Sequence, residues 1–410
     1  MTAVACRLCG APVTRTFVDL GTTPLANAYL RPDQLDRPEP RYPLHTLVCD
    51  DCLLVQLEAL VTPDELFSDY AYFSSYSDSW VEHSRRFAES ALSRFGLGRD
   101  SLVVEVASND GYLLQHFVAA GVPVLGIEPA QNVAEVAVAR GVRTESTFFG
   151  RATAESLVER RLAADLVVGN NVFAHVPDLD DFVAGLARVL KPAGVVSIEV
   201  PHLLRLMEEV QFDTIYHEHF SYFSLLTAER ALGRHDLVVF DVQQLPTHGG
   251  SLRIWSAPAG AERSETLRLG DVRALESAAG LDRIEAYAGF GARVERCRDG
   301  VQAFLAEGRR SGRRVVAYGA AAKGNTLLNY CDVTTVEIEY VADRSLEKQG
   351  RLLPGSHLPV EPPERIMETR PDFVVILPWN LREEICTQLA AIRDWGGRFV
   401  TFVPDVSVWS

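Results

Sequence analysis

The 410-residue chain is too long for one ordinary core and predicts roughly two or three domains. Its 47% hydrophobic and 23% charged residues are those of a soluble globular protein. A net charge of −15 argues against a nucleic-acid or anionic-membrane surface.

The opening MTAVACRLCG has no charged stretch followed by an apolar run, and no segment approaches the length of a membrane span. The seven cysteines are an odd number, and four fall in two CxxC pairs, so a cytoplasmic, metal-binding chain is expected rather than a disulfide framework. Cys6-x-x-Cys9 and Cys49-x-x-Cys52 each turn two thiolates toward one point, and two such turns complete a tetrahedron around Zn²⁺. No further ligand candidate stands beside them, so the zinc reads as structural. The alternatives are four unrelated cysteines or a redox pair. Residues 1 to about 68, rich in Pro and Leu, read as short strands and loops around this metal.

From about residue 80 to 240 strand and helix patterns alternate, the rhythm of a doubly wound sheet. The strands expected are Leu102–Ala107, Val122–Ile127, Leu166–Gly169 and Val195–Val200. The first runs into a polar turn of small residues, Ala107, Asn109, Gly111 and Tyr112, of the kind that lets backbone approach a ligand. Glu105 near its end favours a cationic group. The GxGxxG of a dinucleotide site is absent. Glu128, ending the next strand, is placed to accept the two hydroxyls of a ribose. Asn170 and Asn171, after the third strand, are placed to line the adenosyl and methyl region. Together these point to S-adenosylmethionine.

A helix-rich stretch from about 261 to 311 leads to a second α/β rhythm, with strands expected at Arg314–Tyr318, Glu337–Ala342, Phe373–Leu377 and Arg398–Phe402. In Tyr318-Gly319-Ala320-Ala321-Ala322-Lys323-Gly324-Asn325, amides at a helix start and a lysine suit a phosphate. Alanines replace the fingerprint glycines, so a nucleotide-sugar contact or a vestigial site is expected, not a redox cofactor. Asp343 and Trp379 are further candidates for that cleft.

The segments CRLCG, TPLANAYL, CDDCLLVQL, YFSSYSDSW, VEVASNDGYLL, YHEHFSYFS and YGAAAKGNTLLNY, in that order, resemble the nucleotide-sugar C-methyltransferase family. The resemblance covers essentially the whole chain. It implies a zinc-binding domain (1–68), a class I, Rossmann-like methyltransferase domain (69–245) and a second Rossmann-like domain (246–410) contacting the nucleotide-sugar. It implies action on a dTDP-4-keto-deoxysugar; a monomer with no nucleic-acid or membrane partner is expected. A base removes the C-3 proton, and the enolate attacks the methyl of S-adenosylmethionine. Carried onto this chain, His219 is the general base, Glu218 a polar partner, Tyr216 a donor to the ketone oxygen and His175 another active-site histidine. Imidazole titrates near neutrality, which suits a base.

Other readings stay open. His175 or Glu218 could be the base. His217 and His219 could share a face of a strand or bind a metal. Tyr222 and Tyr72 could pack rather than bind substrate. Tyr76, in the aromatic run Tyr70–Tyr76, could close over the cofactor, and His248 could touch substrate from its polar turn. A sugar O- or N-methyltransferase on the same scaffold is the main alternative; a partner protein with a degenerate core is another.

Overall fold

The computed structural model describes residues 4–62 and 73–409, so Tyr72 lies outside the described residues. At the N-terminus a two-stranded pair, β1 (Val4–Ala5) and β2 (Pro12–Val13), holds the first cysteine pair. An antiparallel sheet follows, of β3 (Arg15–Thr23), β4 (Tyr42–Val48) and β5 (Val55–Leu57). Alternation does the work in β4: Leu44, Thr46 and Val48 face inward while their neighbours face out. The sheet's fourth strand, β11 (Ser221–Tyr222), comes from far along the chain and pairs with β5.

The helix Asp78–Phe95 enters the methyltransferase unit. Ser77 caps its first turn through Trp80 N, and Gly96 ends it in the left-handed conformation. Its buried Trp80, Ser84, Phe87, Ala88 and Ala91 recur at helical spacing along one face. The sheet behind it has the order β12-β13-β10-β9-β6-β7-β8. β6 (Val103–Val106), β7 (Val124–Ile127), β8 (Thr144–Glu145), β9 (Ala164–Asn170) and β10 (Leu190–Pro201) run parallel. β13 (Ser251–Pro258) lies antiparallel between β10 and β12 (Leu237–Leu245). All four expected strands are present. The β12–β13 hairpin was not expected, and it carries this sheet past the 245/246 boundary. Its polar residues obscure the pattern: buried Asp241 pairs with Arg94 at 2.8 Å and Arg268 at 2.6 Å, and Arg253 with buried Glu199.

The second α/β sheet has the order β16-β15-β14-β17-β18-β19. β14 (Val315–Tyr318), β15 (Val341–Ala342), β16 (Val360–Glu361), β17 (Phe373–Ile376) and β18 (Arg398–Thr401) are parallel, and β19 (Ser407–Trp409) closes the edge antiparallel. This is the strand order of a dinucleotide-type fold. The strand expected over Glu337–Ala342 shrinks to Val341–Ala342. The Glu337 carboxylate accepts from Thr334 N at 3.0 Å and Thr334 Oγ1 at 2.8 Å, a local turn that competes with pairing.

The zinc-bearing unit is wedged between the two. Phe17, Leu44 and Val55 share a core with Phe212, Val294, Val315 and Leu328. Cys6, Leu8, Cys49 and Leu54 share another with Phe173 and Phe223 of the methyltransferase unit. The segment Phe212–Tyr222 runs through this junction.

Candidate active site and zinc centre

The four sulfur atoms of Cys6, Cys9, Cys49 and Cys52 lie within 4.8 Å of one another, with Cys6–Cys52 at 3.4 Å and Cys9–Cys49 at 3.6 Å. Tetrahedral Zn–S bonds of about 2.3 Å require sulfurs about 3.8 Å apart, so the cluster fits a zinc ion. The knuckles are built by backbone: Gly10 N bonds Cys6 O at 2.8 Å, and Leu53 N bonds Cys49 O at 3.0 Å. Arg7, between the first two cysteines, donates to Leu57 O at 3.0 Å, Pro177 O at 2.9 Å and Phe220 O at 2.6 Å. Arg230 donates to Cys52 O at 2.8 Å. The metal site is thereby tied to the methyltransferase unit, one residue from His219.

The turn after β6 takes positive φ at Ala107 (54°), Asn109 (49°) and Gly111 (78°). A Cβ on Gly111 would meet Val142 Cγ2 at 2.9 Å, so both conformation and space require glycine there. Glu105 is fully buried, and burial pushes its carboxyl well above the ordinary range, with Tyr112 acting in the opposite direction. Glu128 ends β7. Its Oε2 accepts from Asn109 N and its Oε1 from Ala130 N, both at 2.9 Å. Burial raises it, and those two amides oppose the rise. One amide per oxygen leaves lone pairs for ribose hydroxyls.

Around this turn, Ser108 Oγ, Asp110 Oδ1, both side-chain atoms of Asn170 and Asn171 Oδ1 are buried with no hydrogen-bond partner among the described residues. Orphaned polar groups in one crevice indicate a polar ligand, so the residues fit S-adenosylmethionine. Tyr76, which could close over the cofactor, stands exposed in this structure. Asn109 Oδ1 takes Ser74 N at 2.8 Å and Asp110 takes the Ser75 hydroxyl, which turns Tyr76 outward, 61% exposed against Phe73.

The residues expected to carry the chemistry lie where β9 and β10 end, around a small cavity lined by Ala174, Val200, Thr214 and His219. Residues 215–220 form turns, not a strand, with His219 N on Tyr216 O at 2.8 Å. His217 and His219 therefore part company. His217 Nε2 meets Pro43 O at 3.2 Å, whereas His219 Nδ1 meets Thr214 O at 2.7 Å. Among the described residues the four cysteines are the one group placed to hold a metal, so the HxH metal reading has no support. Because a carbonyl only accepts, His219 Nδ1 carries the proton and Nε2 has a free lone pair. Burial, then His175, holds the His219 pKa well below its ordinary value, so the ring is neutral near pH 7. The His175 ring stands edge-on at 4.7 Å, itself lowered to about 4 by burial, and the Tyr216 ring is 4.0 Å away. Tyr222 is buried and lines a small cavity with His219, Thr214 and Ala174.

Glu218 is buried, accepts from Asn27 Nδ2 at 2.6 Å, and is pushed by burial up to about 7. His248 sits at φ 55° with Nε2 3.1 Å from Asn171 Nδ2, and burial lowers it to about 4. From the C-terminal unit, Lys323 donates to Asn380 Oδ1 at 2.7 Å and lies 4.7 Å from the centre of the Trp379 ring. Trp379 Nε1 donates to buried Asp213 Oδ2 at 2.7 Å. Asn325 Nδ2 binds Ala26 O at 2.5 Å, and Asp343 binds Ala320 N at 2.7 Å and Ser345 N at 2.8 Å, so both are engaged in holding other segments.

The sequence reading missed Asn27, Asp213, Trp80 and the Glu199 group. Glu199 accepts from Arg253 Nε at 2.7 Å and lies 3.0 Å from His83 Nε2; Trp80 stacks on His83 at 4.8 Å and meets His248 edge-on at 5.1 Å. A charge inside the apolar run Val195–Val200 was the available signal for Glu199.

These features define a class I S-adenosylmethionine-dependent methyltransferase with a zinc-binding N-terminal domain. Three family models match in register: a zinc binding domain over residues 6–67, a methyltransferase domain over 80–242 and a C-methyltransferase C-terminal domain over 246–404. The C-methyltransferase NovU of Streptomyces niveus is 37% identical over 405 residues, covering 99% of this chain and 96% of that one. A ubiquinone biosynthesis O-methyltransferase of Bartonella bacilliformis is 31% identical over 97 residues, 23% of this chain and 39% of its own. Magnesium protoporphyrin IX methyltransferase from Synechocystis PCC 6803, solved with bound S-adenosylmethionine, aligns over 44% of this chain and 82% of its own at 13% identity and a TM-score of 0.32, a likeness that carries no argument. The chain belongs to the C-methyltransferase family. Among the described residues no helix is long and apolar enough to cross a membrane.

Proposed function

We propose that this C-methyltransferase acts on C-3 of a nucleotide-linked 4-keto-deoxysugar, with dTDP as the nucleotide, and that His219 is the base. The observation that carries this reading is the His219 ring: Nδ1 is committed to Thr214 O, which makes Nε2 the proton-accepting nitrogen of a ring that lines a small cavity. Nε2 takes the C-3 proton, and the C–H electron pair moves into the C-4 carbonyl as an enolate. Tyr216, beside His219, donates to the developing oxyanion. When bound, S-adenosylmethionine supplies a methyl on a sulfonium, electrophilic enough that no metal is needed at the reacting carbon. Glu105, Glu128, Asn170 and Asn171 would hold it. Lys323 and Trp379 face the nucleotide end, a cation beside an aromatic ring suited to phosphate and base. His175 packs against the base and is its rival.

The test uses dTDP-4-keto-6-deoxyglucose in deuterated buffer. A C-4 ketone acidifies both C-3 and C-5, so the position that exchanges also reads the site of transfer. His219→Asn is expected to lower exchange and methyl transfer by about 10²–10⁴-fold with cofactor affinity unchanged. Wild-type exchange in His219→Asn, with loss in His175→Asn, would reverse the assignment. Methyl transfer with no exchange at either carbon would favour O-transfer.

A further inference from the structure

The segment Thr23–Leu30, TPLANAYL, carried part of the family resemblance but no role followed from it. In the structure it leaves β3 and crosses to the C-terminal unit as a strap. Ala26 O accepts from Asn325 Nδ2 at 2.5 Å. Tyr29 Oη donates to Ala320 O at 2.6 Å, and Leu30 pairs with Leu352 as an antiparallel bridge. Asn27 lies between these anchors, so its backbone is fixed from both sides. Its Nδ2 donates to Glu218 Oε1 at 2.6 Å.

Glu218 is 4% exposed, and a buried carboxylate needs a donor to hold its charge and its orientation. The groups facing it are few. Asn27 and Tyr29 approach from the strap, and the His175 ring bonds its main-chain carbonyl. Its flanking histidines are turned elsewhere, His217 to Pro43 and His219 to Thr214. Burial and the Asn27 hydrogen bond are thus the opposing influences on its ionisation.

We propose that Asn27 is a positioning residue of the active site, carried there by the strap from the zinc-bearing domain to orient the Glu218 carboxylate, with its second oxygen left for substrate. This rests on the proposed sugar C-methylation and on the role the family resemblance implies for Glu218, a polar partner at the reacting carbon. The zinc-bearing domain then supplies one wall of the site, and all three units contribute to it.

Two readouts test this on the full-length, zinc-loaded protein. The first needs no substrate: infrared titration of the carboxyl band that Glu218→Gln abolishes. Removing a hydrogen bond to the charged form raises a carboxyl pKa, so Asn27→Ala is expected to move that band's midpoint up by about one to two pH units. An unmoved midpoint overturns the proposal. The second is methyl transfer to dTDP-4-keto-6-deoxyglucose in a double-mutant cycle. Asn27→Ala is expected to lower kcat by about 10–100-fold on the wild-type background and to add little to Glu218→Gln. Equal, additive losses on both backgrounds, with a lowered thermal midpoint, would make the strap merely structural and overturn it. Asn27→Asp sets a second carboxylate against the first and should lose more than Asn27→Ala at pH 8, recovering toward it as the pH falls. A shifted midpoint in a protein that transfers no methyl to the sugar supports Asn27 as the positioner of Glu218 and counts against the sugar reading alone.

Discussion

Two crevices of the same local design occur in this chain, and they have different fates. In each, an acid at the end of the second strand clamps the turn after the first. Glu128 takes the amides of Asn109 and Ala130, both at 2.9 Å; Asp343 takes those of Ala320 and Ser345 at 2.7 and 2.8 Å. Around the first turn, Ser108, Asn170 and Asn171 keep buried polar atoms with no partner among the described residues. At the second, Ala320 O takes both Tyr29 Oη at 2.6 Å and Lys348 Nζ at 2.8 Å. There the protein's own strap and Lys348 satisfy the turn's carbonyl, and Asn325 Oδ1 is the buried atom left without a partner among the described residues. A strand–turn–helix therefore identifies a binding fold. The polar groups left unsatisfied identify a binding site.

The most severe way to break this contrast is to remove the strap's foundation. Cys6→Ser takes a thiolate from a structural site whose binding contributes on the order of 10–16 kcal/mol to folding. The variant is expected to lose stoichiometric zinc and much of its soluble yield, checked by elemental analysis and thermal melting. A stable, zinc-free wild type would refute the metal assignment. Next, the two acids can be compared directly. Glu128→Ala is expected to weaken S-adenosylmethionine binding by about 10–100-fold, the equivalent of roughly 1.5–3 kcal/mol. Asp343→Ala is expected to leave that affinity alone and lower stability by about 1–3 kcal/mol through its unpaired amides. Calorimetric titration and chemical denaturation separate the two, and equal effects on cofactor affinity would dissolve the distinction. The mildest change is Tyr29→Phe, which deletes one donor to Ala320 O and should cost about 0.5–1.5 kcal/mol by denaturation, with cofactor affinity intact.

The strands that bear the cofactor turn were legible because they are short apolar runs ending in polar residues; β6, β7, β9 and β10 lie where expected. The β12–β13 hairpin was not, because Asp241 and Arg253 break the apolar pattern and find their charge partners, Arg94, Arg268 and Glu199, on other elements. The same holds within the site. Glu105, Glu128 and the asparagines could be placed from strand ends, but the partners of Glu218 and Trp379, Asn27 and Asp213, lie 191 and 166 residues away in the chain.

The sequence by itself determined the zinc ligands, the two sheets and the acid that ends each second strand, since these follow from short-range spacing and periodicity. Only the tertiary structure decided which turn keeps unpartnered polar atoms among the described residues, which nitrogen of His219 is held by Thr214 O, and that the N-terminal strap reaches Glu218. Those outcomes depend on which distant donors satisfy a buried carbonyl or carboxylate, and local pattern holds no record of a partner's distance in space.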